Sequence, residues 1–287
     1  MLRVLITGAG GFIGRHVAKA LEGKAEVVSA HYQNRRVDLL EAGAATDLIA
    51  RTRPQILIHL AWETEHGQFW HSAKNVAWQE ASTALFETFF ATGGTRALGL
   101  GTCAEYDWSI GVERLAEDAP LAPHTAYGTA KVATAKALAE TAERHDASWA
   151  WGRVFFTFGS GEPQRRLVPL MLRAVLDKEV LDVGPGATKR DFWDVRDLGA
   201  AIAALAVSDV EGPVNLASGD GFSFSDLAAI IQDLVGASGL IRPDRRELGP
   251  GQPLTLVADA SRLRNELGFQ PTISLKQGLS DYLATMR

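Results

Sequence analysis

The segment Thr7-Gly8-Ala9-Gly10-Gly11-Phe12-Ile13-Gly14 constrains this chain more than any other, because it follows one short apolar run, Leu2 to Thr7, and opens a helix-like stretch, Phe12 to Leu21. Glycine permits a tight turn between the two. It also lets the backbone approach a pyrophosphate and lets the helix pack closely on the strand, while the helix N-terminus offers amide donors and a favourable dipole. A glycine triplet alone is a weak signal; here the strand before it and the helix after it are both present.

Alternation continues beyond that unit. Leu2 to Thr7, Glu26 to Ala30, Gln55 to Leu60, Arg96 to Gly101 and Ser148 to Val154 read as strands, and Phe12 to Leu21, Glu41 to Arg51, Ser72 to Thr92 and Pro123 to His145 as helices. Strand, helix, strand at this spacing gives βαβ units and a parallel sheet. The run Ile56-Leu57-Ile58-His59-Leu60 fits a central strand buried on both faces. The expected fold is therefore α/β, a Rossmann doubly wound, mostly parallel sheet with a small C-terminal substrate-binding lobe. Past residue 160, Gly and Pro punctuation at Gly159 to Pro163, Gly184-Pro185-Gly186, Gly219 to Gly221 and Gly249 to Pro253 separates shorter elements. Residues 1–160 read as a dinucleotide-binding domain and 161–287 as mainly the substrate lobe, with segments near 190–217 packing back on the first domain.

Composition excludes several classes. With 287 residues, 46% of them hydrophobic, the chain can bury a core without staples. Its one cysteine, Cys103, can form no internal disulfide, which fits a reducing cytoplasm. The start, Met1-Leu2-Arg3, runs into the first strand without a signal-peptide stretch, and no segment approaches the roughly 20 apolar residues of a membrane span. A net charge of -5 argues against nonspecific nucleic-acid binding. The oligomer is open, a homodimer being possible.

The tip of the second strand, Val28-Ser29-Ala30-His31-Tyr32, lacks the carboxylate that usually holds the ribose hydroxyls of NAD. Arg35 and Arg36 follow, and a guanidinium pair can fork onto a 2'-phosphate. NADP(H) is favoured on this reading, NAD(H) remains possible, and solvated loop arginines are the alternative.

Tyr127 and Lys131 lie four apart in a helix read as starting at Pro123, so they share a face one turn apart. A lysine there can lower the phenol's pKa and make it a workable acid or base. Thr102, just after the strand Arg96 to Gly101, falls where strands end and ligands bind.

With these motifs in place, the chain resembles an extended short-chain dehydrogenase/reductase of the nucleotide-sugar branch, the NAD-dependent epimerases and dehydratases, and among them the 4-ketoreductases. The resemblance rests on Thr7-Gly8 to Gly11 to Gly14, Asp38-Leu39, His59-Leu60-Ala61, Asn75, Thr102 with Tyr106, Tyr127-Gly128-Thr129-Ala130-Lys131, Arg166-Leu167-Val168-Pro169, Arg190-Asp191-Phe192, Asn215 with Ser218-Gly219, and Ala258-Asp259, in family order over nearly the whole chain. It implies that Tyr127 exchanges a proton with the substrate oxygen, that Lys131 lowers its pKa and meets the nicotinamide ribose, and that Thr102 orients the same oxygen. It implies cofactor contacts at Gly8, Gly11, Phe12, Ile13 and Gly14, at Asp38 beside the adenine, and at Leu39, Leu60 and Ala61. Asn75 would belong to a supporting polar network.

The pattern departs from the family beside Thr102. Relatives that remove water from a hexose carry an Asp-Glu pair there, and this chain carries Cys103-Ala104, so a 4,6-dehydratase reading is poor. Glu105 follows where the family has an apolar residue, and it reads as a structural carboxylate before a catalytic one. Cys103 reads as an acid or base beside the ketone or as a small buried residue, the second being preferred.

Arg166, Arg190 and Arg246 resemble the family's nucleoside-diphosphate clamp, with Arg245 an equal candidate for the last position, and solvated surface arginines are the bland reading of all three. Trp62, Trp108 and Trp193 fall where loops should face the substrate, as aromatic walls for a deoxygenated sugar face or as core. His66 and His71 make no metal-ligand set and read as structural or solvent-facing. The expected function is NADPH-dependent reduction of a nucleoside-diphosphate 4-keto-6-deoxyhexose. A 4-epimerase with tightly bound NAD and a noncatalytic nucleotide sensor of the same fold are the alternatives.

Overall fold

The computed structural model describes residues 1–287 apart from 30, 33–34, 64, 66, 245–247 and 250, and at 31–32 and 35–36 it describes the backbone alone. In chain order the elements begin with β1 (Arg3–Thr7), α1 (Gly14–Leu21), β2 (Glu26–Ser29), β3 (His31–Tyr32), β4 (Arg35–Arg36), α2 (Ala44–Thr52), β5 (Ile56–His59), α3 (Lys74–Ala91), β6 (Arg96–Thr102), α4 (Ala126–Arg144) and β7 (Ser148–Val154). They continue with β8 (Phe156–Phe158), α5 (Leu167–Asp177), β9 (Leu181–Pro185), β10 (Lys189–Asp194), α6 (Val195–Ala206), β11 (Gly212–Leu216), β12 (Gly221–Ser223), α7 (Phe224–Val235), β13 (Ile241–Asp244), β14 (Thr255–Leu256), α8 (Ser261–Asn265) and α9 (Leu275–Met286).

Six strands form one parallel sheet in the order β11-β7-β6-β5-β1-β2. The chain winds one way from β1 to β2 and the other way from β5 onward, so the direction reverses between β1 and β5, where open α/β sheets form their ligand crevice. Alternation along the strands makes both faces apolar. Val4 and Ile6 of β1, with Ile56 and Ile58 of β5, face α1 and α6, while Leu5 and Leu57 face α2, α3 and α4 with Phe86, Phe89, Leu138 and Trp151. This is the doubly wound architecture expected from the strand-helix alternation.

A second apolar cluster joins α5, α7 and α9 to β9 and β13 through Phe158, Met171, Leu172, Leu227, Ile231, Leu279 and Leu283. Strand β10 ties the halves together, pairing parallel with β8 and antiparallel with β12. Between the halves lies a cleft of 1280 Å³. That exceeds the roughly 300–1,000 Å³ usual for one drug-sized ligand and leaves room for two ligands end to end.

One helix start differs from the sequence reading in a way that matters for the site. α4 begins at Ala126 rather than Pro123, because the Thr125 hydroxyl accepts the Gly128 amide at 3.0 Å and ends the extended approach there. Tyr127 is therefore in the first turn of the helix.

Candidate active site

At one end of the cleft the wall is backbone. Gly8 sits at φ 75°, a left-handed conformation, and its carbonyl accepts the Gly11 amide at 2.9 Å. A Cβ on Gly8 would lie 2.9 Å from the Ala61 amide nitrogen, and one on Gly14 would run into the Gly8 carbonyl. Glycine is thus required at both positions, which brings the start of α1 against the end of β5. The register is pinned below by Thr7, whose hydroxyl pairs with His59 Nδ1 at 2.7 Å while His59 Nε2 meets the Ser82 hydroxyl at 2.8 Å. Burial holds His59 down at about 3, so the imidazole is neutral.

Gly8, Gly11, Phe12, Ile13, Gly14, Asp38, Leu39, Leu60 and Ala61 all line this end. The groove fits a dinucleotide: it is narrow, made of backbone, and faced by the α1 N-terminus. Asp38 is exposed, and its carboxylate accepts the Leu40 amide at 3.0 Å. The side chains of Arg35 and Arg36, on which the NADP reading turns, lie outside the described atoms, as do Arg245, Arg246 and His66.

The middle of the cleft is made of side chains. Thr102 ends β6, its hydroxyl accepts the Ala104 amide at 3.2 Å, and it lies close enough to the Tyr127 phenol to oppose that group's upward shift. Lys131, one helical turn on, donates from Nζ to the Leu100 carbonyl at 2.8 Å and sits 3.8 Å from the centroid of the Trp62 ring. Burial brings Lys131 down to about 7, with Glu105 opposing the fall.

Here one expectation needs correction. Tyr127 is shifted up rather than down: burial raises the phenol well above its ordinary value, the electrostatic effects of Glu105 and Cys103 add to this, and Thr102 and Arg166 oppose it. The Lys131 ammonium is committed to Leu100 and lies 5.8 Å from the phenol ring centroid. Tyr127 is consequently a protonated donor at neutral pH.

Aromatic rings enclose that donor. Phe69, Trp70 and Trp62 meet the Tyr127 ring edge-on at centroid distances of 4.9, 5.8 and 6.2 Å. Asn75 fixes this wall by accepting Trp62 Nε1 at 2.9 Å and donating to the Phe69 and Ser72 carbonyls at 2.7 and 3.0 Å. Trp108 also lines the cleft, donating to the Cys103 carbonyl at 3.0 Å. Trp193 does not: it is 2% exposed, edge-on to Phe269 in the core. Alternation along β10 sends Arg190 and Phe192 to the cleft and Trp193 to the opposite side.

Cys103 is buried and its thiol is pushed up to about 12, which leaves no thiolate at neutral pH. Glu105 is 0% exposed and fully engaged. It accepts the Thr102 amide at 2.8 Å, Trp151 Nε1 at 3.1 Å and Arg153 Nε at 2.9 Å, so it is structural.

At the far end Arg166 and Arg190 both line the cleft. Arg190 donates to the Lys189 and Leu254 carbonyls at 2.8 and 3.2 Å, and burial lowers it to about 10, still charged at neutral pH. Residues absent from the sequence reading also line the site, notably Phe69, Trp70, Phe156 and Glu162. Glu162 carried a signal, its spacing of four from Arg166; Phe69-Trp70 carried another, two aromatics inside a polar loop.

The NAD dependent epimerase/dehydratase family matches residues 4–217. The chain belongs to this family. Its members are oxidoreductase-type enzymes, and this chain is one. It is 25% identical to UDP-glucose 4-epimerase of Corynebacterium glutamicum over 94% of this chain and 91% of the relative. It is 25% identical to dTDP-glucose 4,6-dehydratase of Streptomyces niveus over 97% of this chain and 90% of the relative. Its fold matches UDP-N-acetylglucosamine 4-epimerase of Methanobrevibacter ruminantium, solved with UDP-N-acetylmuramic acid, at a TM-score of 0.86, 22% identity and coverage of 99% and 98% of the two chains.

Proposed function

We propose that this enzyme reduces a nucleoside-diphosphate 4-keto-6-deoxyhexose to a 6-deoxysugar nucleotide, with NADPH as its cofactor. The observation that carries the reading is the protonated Tyr127 phenol close to the Thr102 hydroxyl, beside a position where the water-removing relatives have Asp-Glu and this chain has Cys103-Ala104. When bound in the groove along Gly8 to Gly14, the cofactor supplies the hydride. Tyr127 protonates the oxygen that becomes an alkoxide, and Thr102 stabilises its developing charge by a second hydrogen bond. The phenolate this leaves on Tyr127 regains its proton from solvent before the next turnover, while Lys131 stays held on the Leu100 carbonyl one helical turn away. Phe69, Trp70 and Trp62 exclude water and present apolar faces suited to a deoxygenated sugar carbon. Arg166 and Arg190 hold the diphosphate, fixing the sugar by binding energy remote from the reacting carbon. Arg35 and Arg36, with no acid at the second strand tip, support the choice of NADPH.

A second reading, a 4-epimerase that oxidises and reduces in place, draws on the same Thr102, Tyr127 and Lys131 and on the likeness to the Corynebacterium relative. The test is incubation of the ketone with NADPH in deuterated water, with the product examined by mass spectrometry and proton NMR. Simple reduction leaves the carbons beside the former ketone unlabelled beyond the enzyme-free control. Enzyme-dependent label there would establish an epimerase-reductase that uses Cys103, and cofactor-neutral interconversion of two 4-hydroxy sugars would establish the 4-epimerase.

A further inference from the structure

Arg166 already has an anionic partner. It caps the start of α5, and its Nε lies 3.2 Å from Oε1 of Glu162, four residues earlier in the turn that leaves β8. The two side chains are placed unequally: Arg166 is 31% exposed and Glu162 only 2%. Both line the cleft. The second carboxylate oxygen of Glu162 is buried and has no hydrogen-bond partner.

Among the described residues, Arg166 supplies the main charge that favours the Glu162 carboxylate, with a weaker contribution from the Gly159 backbone. Tyr282 of α9 is near enough to feel the Glu162 charge, and Arg15 of α1 donates to the Ser160 carbonyl of the same turn, its own charge reaching Tyr282. A carboxylate so placed depends on Arg166 to stay ionised. An incoming diphosphate competes for that guanidinium, and a buried carboxylate that loses its cation is driven to take up a proton.

We propose that Glu162 is the exchangeable counter-charge of the diphosphate subsite: a nucleoside-diphosphate ligand takes Arg166 over, and Glu162 takes up a proton from solvent as the ligand binds. This rests on the reading of Arg166 as a diphosphate ligand. The balance is simple, one carboxylate becoming one carboxylic acid with the proton drawn from buffer, while Arg166 remains charged and changes partner. Burial already brings the Glu162 carboxyl up to about 7 against the opposing pull of Arg166, so the proton is within reach at neutral pH. Because the bound state holds more protons than the free state, affinity falls as pH rises above 7, approaching about tenfold per pH unit.

Isothermal titration of the full chain, saturated with oxidised nicotinamide dinucleotide, tests this. The probes are UDP-glucose and dTDP-glucose, whose diphosphate is esterified at both ends and does not titrate near neutrality. Titrations in buffers of different ionisation enthalpy count the protons taken up. The proposal expects roughly half a proton at pH 7 and roughly nine tenths at pH 8. Glu162→Gln should abolish the uptake and bind at pH 8 as tightly as the parent binds at pH 6. Arg166→Ala should weaken binding about tenfold or more, the share of a charge-assisted hydrogen bond. Binding without proton uptake, or uptake that persists in Glu162→Gln, overturns the proposal and leaves the functional reading intact. Unchanged affinity in Arg166→Ala removes Arg166 from the diphosphate site. Failure of both nucleotide sugars to bind at all overturns the functional reading and this inference with it.

Discussion

The glycine end of the cleft recognises with backbone, and the tyrosine end recognises with side chains held by other side chains. At the first, Gly8 and Gly14 matter because a Cβ would strike a neighbouring main chain. At the second, Thr102 is held by Glu105, Glu105 by Arg153 and Trp151, and the wall around Tyr127 by Asn75. The contrast separates two kinds of constraint. A backbone site forbids atoms, and a side-chain site requires partners.

That contrast can be broken at the tyrosine first. Tyr127→Phe keeps the ring in its aromatic box and removes only the proton, so turnover with the 4-keto substrate should fall about 10²- to 10⁴-fold, with cofactor affinity and melting temperature near those of the parent. Near-normal turnover would remove Tyr127 from the chemistry. Glu105→Val comes next, because it leaves Arg153 buried and unpaired. Stability should drop by about 3–5 kcal/mol in chemical denaturation, and a second change, Arg153→Leu, should recover much of the loss. No recovery would mean that the carboxylate, not the pair, is what the fold needs.

Gly14→Ala probes the other end. Adding one methyl against the Gly8 carbonyl should cost about 1–3 kcal/mol and weaken dinucleotide binding, read from melting temperature and cofactor titration. A variant as stable as the parent would show that the turn has slack. The smallest effect concerns Lys131. Its folded-state value near 7 lies below its unfolded value of 10.5, so above pH 7 the unfolded chain binds more protons and the group adds stability as pH rises. Lys131→Met removes that contribution. The difference in stability between parent and variant should therefore move in the parent's favour between pH 7 and 8.5, and a constant difference would contradict the burial argument.

The same contrast explains what could be read without coordinates. The glycine turn, the buried strand Ile56 to His59 and the spacing of Tyr127 and Lys131 are local patterns, and periodicity carries them directly. The environment of Tyr127 is not local. Its phenol is raised by burial under Phe69, Trp70 and Trp62, which come from a loop roughly 60 residues earlier, and no spacing rule predicts that shielding. Trp193 had two readings, cleft wall or core, and strand alternation decides for the core. It stands three residues from Arg190 on one strand, and alternation puts residues an odd number apart on opposite faces, so the two could not both face the cleft. The start of α4 was decided by a competition between Pro123 and the Thr125 hydroxyl, which the capping hydrogen bond won.

The central claim is that Tyr127 serves a net reduction. It is tested most directly by following NADPH absorbance and ketone concentration together in one reaction with a nucleoside-diphosphate 4-keto-6-deoxyhexose, beside a second reaction given the unmodified hexose donor. The account predicts one NADPH consumed for each ketone lost in the first and no water release or 4-keto product in the second. Ketone formation from the unmodified donor, or conversion of sugars without net use of NADPH, would contradict it.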